Sequence, residues 1–126
     1  MGVGYILINS TKKEAINFYH LPASKMKELA GNNVTSAIVT WYMLNNRGDN
    51  IRFIPDSFID ENFDITDNID NYLDVTSTVI KELINEKIIR DDGFEFIDED
   101  EPQNIYIKRF TNIWMDLKFK SKKNNL

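Results

Sequence analysis

The chain has 126 residues, 42% hydrophobic and 12% aromatic, a one-domain length with enough apolar side chain for a real core. It contains no cysteine, which excludes a disulfide framework and thiolate chemistry. The net charge of −5 is unevenly placed. Residues 1–48 carry five Lys and Arg against two acids, residues 49–102 four against seventeen, and residues 103–126 six against one.

The first apolar run (Tyr5 to Ile8) is short and precedes Lys12-Lys13, the wrong order for a secretory signal. No segment approaches the ~20 apolar residues needed to span a bilayer. Met1-Gly2 opens like a myristoylation site, but Ile6 stands where Ser or Thr is required. A cytoplasmic protein without a membrane partner is expected.

Residues 4–9 (GYILIN) and 14–18 (EAINF), separated by the polar turn 10–13, predict an N-terminal β-hairpin. Pro22 suits a first helical position and Gly31 a stop, framing a short helix with Met26, Leu29 and Ala30 inward. Next, Val34, Ala37, Ile38, Trp41 and Leu44 recur at helical spacing, and Val39, Tyr42 and Met43 extend the apolar surface around most of the cylinder. This predicts a central core helix, capped by Asn33 and stopped by Arg47-Gly48. Residues 50–55 (NIRFIP) alternate and read as a strand closed by Pro55.

Residues 56–74 interleave seven acids with Phe58, Ile59, Phe63, Ile65, Ile69, Tyr72 and Leu73, too many apolar groups for a disordered acidic tail. An ordered excursion is expected, its apolar residues docked and its carboxylates in water. Asp74 or Thr76 then caps a helix to about Lys87, with Val75, Val79, Leu83 and Ile84 inward and Glu82 and Glu86 outward. Asp92-Gly93 predicts a two-residue type I′ hairpin in which Asp91 opposes Phe94 and Arg90 opposes Glu95. Residues 98–102 form an acidic loop, and residues 104–110 form another strand. Residues 113–119 fit a strand or a helix equally, and residues 120–126 read as a frayed basic tail after a domain of 1–119. The expected architecture is α+β, about six mostly antiparallel strands packed with three helices.

Enzymatic motifs are missing from the sequence. His20, the single histidine, precedes Leu21-Pro22 at a turn, where a hydrogen-bonded turn residue is expected. There is no Gly-x-Ser-x-Gly elbow and no glycine-rich phosphate loop. Asp64, Asp67, Asp70 and Asp74 recur at three- and four-residue spacing, yet the calcium-loop pattern is absent and Ile65-Thr66 disfavours a helix. No catalytic residue, cofactor or metal site is therefore expected. The basic groups Lys108-Arg109, Lys118, Lys120, Lys122 and Lys123, near Phe110, Trp114 and Phe119, give an alternative reading as a nucleic-acid-binding or regulatory module. A sequence pI near 4.8 opposes that reading.

The acidic block supports a binder of a basic protein partner. Its candidate contacts are Asp56, Asp60, Glu61, Asp64, Asp67 and Asp70, with Asp98, Glu99, Asp100 and Glu101; Phe58, Phe63 and Tyr72 are candidate anchors. The bland alternative is a solvated surface whose aromatics lie in the protein's own core.

GYILINSTKKEAINF, TWYMLNNRGDNIRFIPD and the Asp-rich segment that follows, together residues 4–74, resemble the small acidic cysteine-free immunity proteins of bacterial polymorphic and contact-dependent growth inhibition toxin systems. The resemblance implies cytoplasmic protection, with one cognate toxin C-terminal domain, such as a nuclease, held in an inactive complex.

Overall fold

A computed structural model of the chain describes residues 4–56 and 69–114. The N-terminal alternation of apolar residues produces β1 (Tyr5–Asn9) and β2 (Glu14–Asn17), an antiparallel pair that aligns Leu7 with Ile16 and Asn9 with Glu14. β3 (Ile51–Pro55) lies on the other side of β1, and the two-residue β4 (Leu73–Asp74) runs parallel to β2, giving the order β3-β1-β2-β4. Because side chains alternate across a pleat, the sheet has two apolar faces. Leu7, Ile16, Phe18 and Ile51 meet the helices, while Ile8 and Ile54 point the other way.

The helical layer comprises α1 (Met26–Gly31), α2 (Asn33–Asn45) and α3 (Thr76–Asn85). The N-cap of α2 is Asn32, one residue before the expected Asn33; its side chain accepts from the amides of Val34 (2.9 Å) and Thr35 (3.1 Å). That cap follows α1 directly. Buried Thr35 closes the junction by donating to the carbonyls of Leu29 and Asn32, both at 3.1 Å. Helix α2 buries Val34, Ile38 and Tyr42, but Leu44 is 61% exposed, contrary to its expected inward placement. The near-continuous apolar surface of this helix thus covers more than its packing uses. Helix α1 is also shorter than expected. Pro22 precedes it, Lys25 is its N-cap, and only Leu29 is buried while Met26 is 67% exposed. In α3, Val79 and Leu83 are buried and Ile84 half-buried, with Val75 buried at the N-cap. Asp74 holds this start by accepting from the amide of Thr76 at 2.9 Å.

A second sheet joins β5 (Ile89–Ile97) antiparallel to β6 (Tyr106–Asn112). The expected Asp92-Gly93 hairpin does not form: these residues lie inside a single nine-residue strand. From Asp91 to Phe94 the partner advances only from Phe110 to Lys108, so one extra residue bulges out, with Gly93 at φ +93°. A second shift follows before Phe96. The positive φ that Gly93 permits serves a bulge, and the true reversal is the acidic loop after Ile97. Buried Asn112 anchors the ribbon by donating to the carbonyl of Asn33 at 3.0 Å.

The fold is therefore α+β, with six strands in two sheets and three α-helices among the described residues. Ile113 and Trp114 turn helical; the rest of 113–119 and the expected tail of 120–126 lie outside the described residues. No described helix is long and apolar enough to cross a membrane.

Candidate acidic interaction surface

Phe58, Asp60, Glu61, Phe63, Asp64 and Asp67 lie outside the described residues. Asp56 is exposed just after β3, its amide donating to the carbonyl of Gly4 at 2.9 Å. Asp70 is exposed on a 3₁₀ turn, Ile69–Asn71, that crosses the sheet face opposite the helices. Tyr72 is not a surface anchor. It is 9% exposed and packs with Ile8 and Ile54 in the core of that face, with the Lys13 ammonium 5.5 Å from its ring. Leu73, expected to dock, is exposed. Asp98 closes the ribbon loop on itself by accepting from the amides of Asp100 (3.0 Å) and Glu101 (2.9 Å), leaving Glu99, Asp100 and Glu101 exposed around it. The described members of the expected site thus fall on separate elements.

A different set of carboxylates converges. Glu14 from β2, Trp41 and Tyr42 from α2, and Glu82 and Glu86 from α3 line one groove of about 490 Å³. The pleat puts Glu14 on the helix side of the sheet, and the i, i+4 spacing stacks Glu82 and Glu86 one turn apart on α3. Two aromatic donors orient the acids. Tyr42 donates its phenol proton to Oε1 of Glu14 at 2.7 Å, and Trp41 donates its indole N–H to Oε1 of Glu82 at 3.1 Å. Burial, then the Glu14 carboxylate, pushes the Tyr42 phenol well above its ordinary range, so Tyr42 remains a donor throughout physiological pH. Among the described residues, no Lys, Arg or His lines the groove.

The groove rests on a fixed base. Fully buried Asn9 donates to Asp49 at 2.8 Å and accepts from the Lys12 amide at 3.0 Å. Asn46, in the lining, donates to the Tyr42 carbonyl at 2.7 Å and accepts from the Lys12 ammonium, which also lies 3.5 Å from Asp49. These bonds tie the β1–β2 turn to the C-terminal end of α2. Among the described residues there is no group of three or more acidic, His or Cys side chains placed to hold a metal ion.

The described basic residues near the C-terminal end are internally engaged. Lys108 contacts both carboxylate oxygens of Asp91 at 2.9 Å and lies over the rings of Phe94 and Phe110. Arg109 reaches Glu95 at 3.9 Å. Lys118, Lys120, Lys122 and Lys123 lie outside the described residues. His20 stacks flat on Tyr106 with ring centroids 3.8 Å apart, and its Nδ1 is 3.0 Å from the Tyr106 carbonyl. A carbonyl only accepts, so Nδ1 carries the proton. His20 is thus the hydrogen-bonded turn residue its sequence context suggested, fastening β6 to the turn after β2.

Reading the sequence alone misses Glu14, Trp41, Glu82 and Glu86. Glu82 and Glu86 carry a signal, two outward acids one turn apart, but their convergence with Glu14 is a tertiary fact. Compared with protein-family models, curated proteins and solved structures, the chain matches none.

Proposed function

We propose that this chain is a non-enzymatic binding protein, an immunity protein that neutralises a cognate basic toxin domain in the cytoplasm through its acidic surface. The observation that supports this most is the groove between α2 and α3, where three carboxylates from two elements meet beside an indole with no cation among the described lining residues. Such a site suits a Lys or Arg side chain of a protein partner: the carboxylates pair with the cation and the Trp41 face stacks on it. The exposed acids of the ribbon loop and Asp56 add long-range attraction, which raises the encounter rate more than the final affinity. A nuclease domain, whose own site grips phosphates, presents a cationic surface of this kind.

Co-expression with the C-terminal domain encoded by the adjacent reading frame tests the proposal. The domain alone is expected to be toxic, and the pair is expected to co-purify and restore growth. A toxic domain that neither co-purifies nor is suppressed contradicts it.

A further inference from the structure

Alternation along β6 sorts the ribbon into two faces. Tyr106 stacks on His20, Phe110 packs against the core and Asn112 bonds to Asn33, so the even-numbered residues face the body of the protein. Ile107, Arg109 and Thr111 therefore face away. Cross-strand partners share a face, which places Phe94 with Lys108 on the inner side and Phe96 with Ile107 on the outer. In a regular strand, residues two apart would lie on one face; the register shift between Phe94 and Phe96 turns the second ring outward.

The outer face is divided along its length. The half toward Ile89 and Asn112 is polar and bonded within itself: Arg90 and Thr111 both reach Asp92, and Arg109 reaches Glu95. The half toward the loop is apolar. Phe96 is 49% exposed beside half-buried Ile107, and Ile105, two residues from Ile107, is 46% exposed. From Gly93 to Ile107 the chain carries five acids and no Lys, Arg or His. The loop that presents four of them is preformed. Besides the bonds to Asp98, the Glu101 carbonyl accepts from the amides of Asn104 (3.1 Å) and Ile105 (2.9 Å).

We infer that this ribbon tip is a second contact for the cationic protein partner of the acidic groove, with Phe96, Ile105 and Ile107 as its apolar centre and Glu99, Asp100 and Glu101 as its rim. The inference rests on the binding reading proposed above. Charge selects the occupant. A second copy would set the same five acids against themselves, and a nucleic acid or an anionic membrane would bring further negative charge. A protein surface with Lys or Arg around an apolar hollow matches both features, since an apolar centre inside a polar rim is ordinary interface anatomy. The preformed loop keeps the ordering cost of the contact low. The roles then divide: the rim acids speed encounter, and Phe96 slows dissociation.

Binding kinetics of the domain encoded by the adjacent reading frame, measured with the intact wild-type chain and with tip variants, test this. Phe96→Ala is expected to raise the dissociation rate about tenfold with association changed less than about twofold, and Phe96→Leu to recover most of the loss. Glu99→Lys/Asp100→Lys is expected to slow association instead and to flatten its salt dependence. These side chains are exposed, so each variant is expected to keep the wild-type circular dichroism spectrum. Amides of residues 95–101 are expected to exchange more slowly in the complex. A wild-type chain that does not bind the domain overturns the binding reading and this inference with it. Binding whose rates neither Phe96→Ala nor Glu99→Lys/Asp100→Lys alters overturns the inference alone. So does protection of residues 95–101 by self-association in the absence of the domain.

Discussion

The indole N–H of Trp41 donates to the carboxylate of Glu82 at 3.1 Å, joining α2 to α3 within the acidic groove. The bond is exposed, so its stabilisation is modest, but it fixes the direction of one groove acid. Trp41→Phe is expected to lower stability by only about 1 kcal/mol or less in urea unfolding. Affinity for the basic partner is expected to fall more than stability does, because the Glu82 carboxylate loses its orientation.

The joint between sheet and helices depends on a few fully buried side chains. Ile38 is 0% and Leu83 1% exposed, in the cluster that contains Leu7, Ile16 and Phe18. Leu83→Ala or Ile38→Ala is expected to cost about 2–5 kcal/mol, whereas Ile38→Val costs about 1 kcal/mol. Chemical denaturation with an unchanged m-value checks both.

At Gly93 the φ of +93° is required by the bulge, and an added Cβ meets nothing within 4 Å. The penalty for Gly93→Val is therefore conformational strain rather than a clash, about 1–3 kcal/mol. The ribbon is expected to loosen locally. Faster amide exchange at Phe94 and Phe96, with the four-stranded sheet unaffected, is the corresponding signature.

Acid sensitivity has a defined source in the same ribbon. The Lys108 hydrogen bond, then the Gly93 amide, holds the Asp91 carboxyl below its ordinary 3.8. Arg90 and then Thr111 do the same for Asp92. A carboxylate with a depressed folded pKa contributes stability above its unfolded value, and that contribution is lost as pH falls through the folded one. Stability is thus expected to drop below about pH 4, and Asp91→Asn to make the acid side of the profile shallower. Melting temperatures measured between pH 3 and 7 test the sign.

Local patterning made most of the architecture readable. The alternation in 4–9 and 14–18 predicted β1 and β2, and the three-and-four spacing from Val34 predicted α2. Failures came where a local signal has two uses. Asp92-Gly93 serves a hairpin or a bulge equally, and the choice depended on whether β6 could run alongside all of β5. Leu44 and Met26 match a core period but are exposed, near the end of α2 and at the start of α1. The site was less legible than the fold. Tyr72 read as an anchor because its acidic neighbours suggested a surface, yet the second face of the sheet needed a cover. The groove acids were individually visible as outward residues, but only β2 packed beneath α2 and α3 brings Glu14 to Glu82 and Glu86.

The most direct test is a calorimetric titration of the adjacent toxin domain with the wild-type chain and with Glu82→Lys/Glu86→Lys, at low and at high salt. The acidic-groove account predicts a loss of affinity of tenfold or more, about 1.4 kcal/mol or greater, with the melting temperature preserved and a flatter salt dependence in the variant. Equal affinity of the folded variant and the wild type at both salt concentrations contradicts the account.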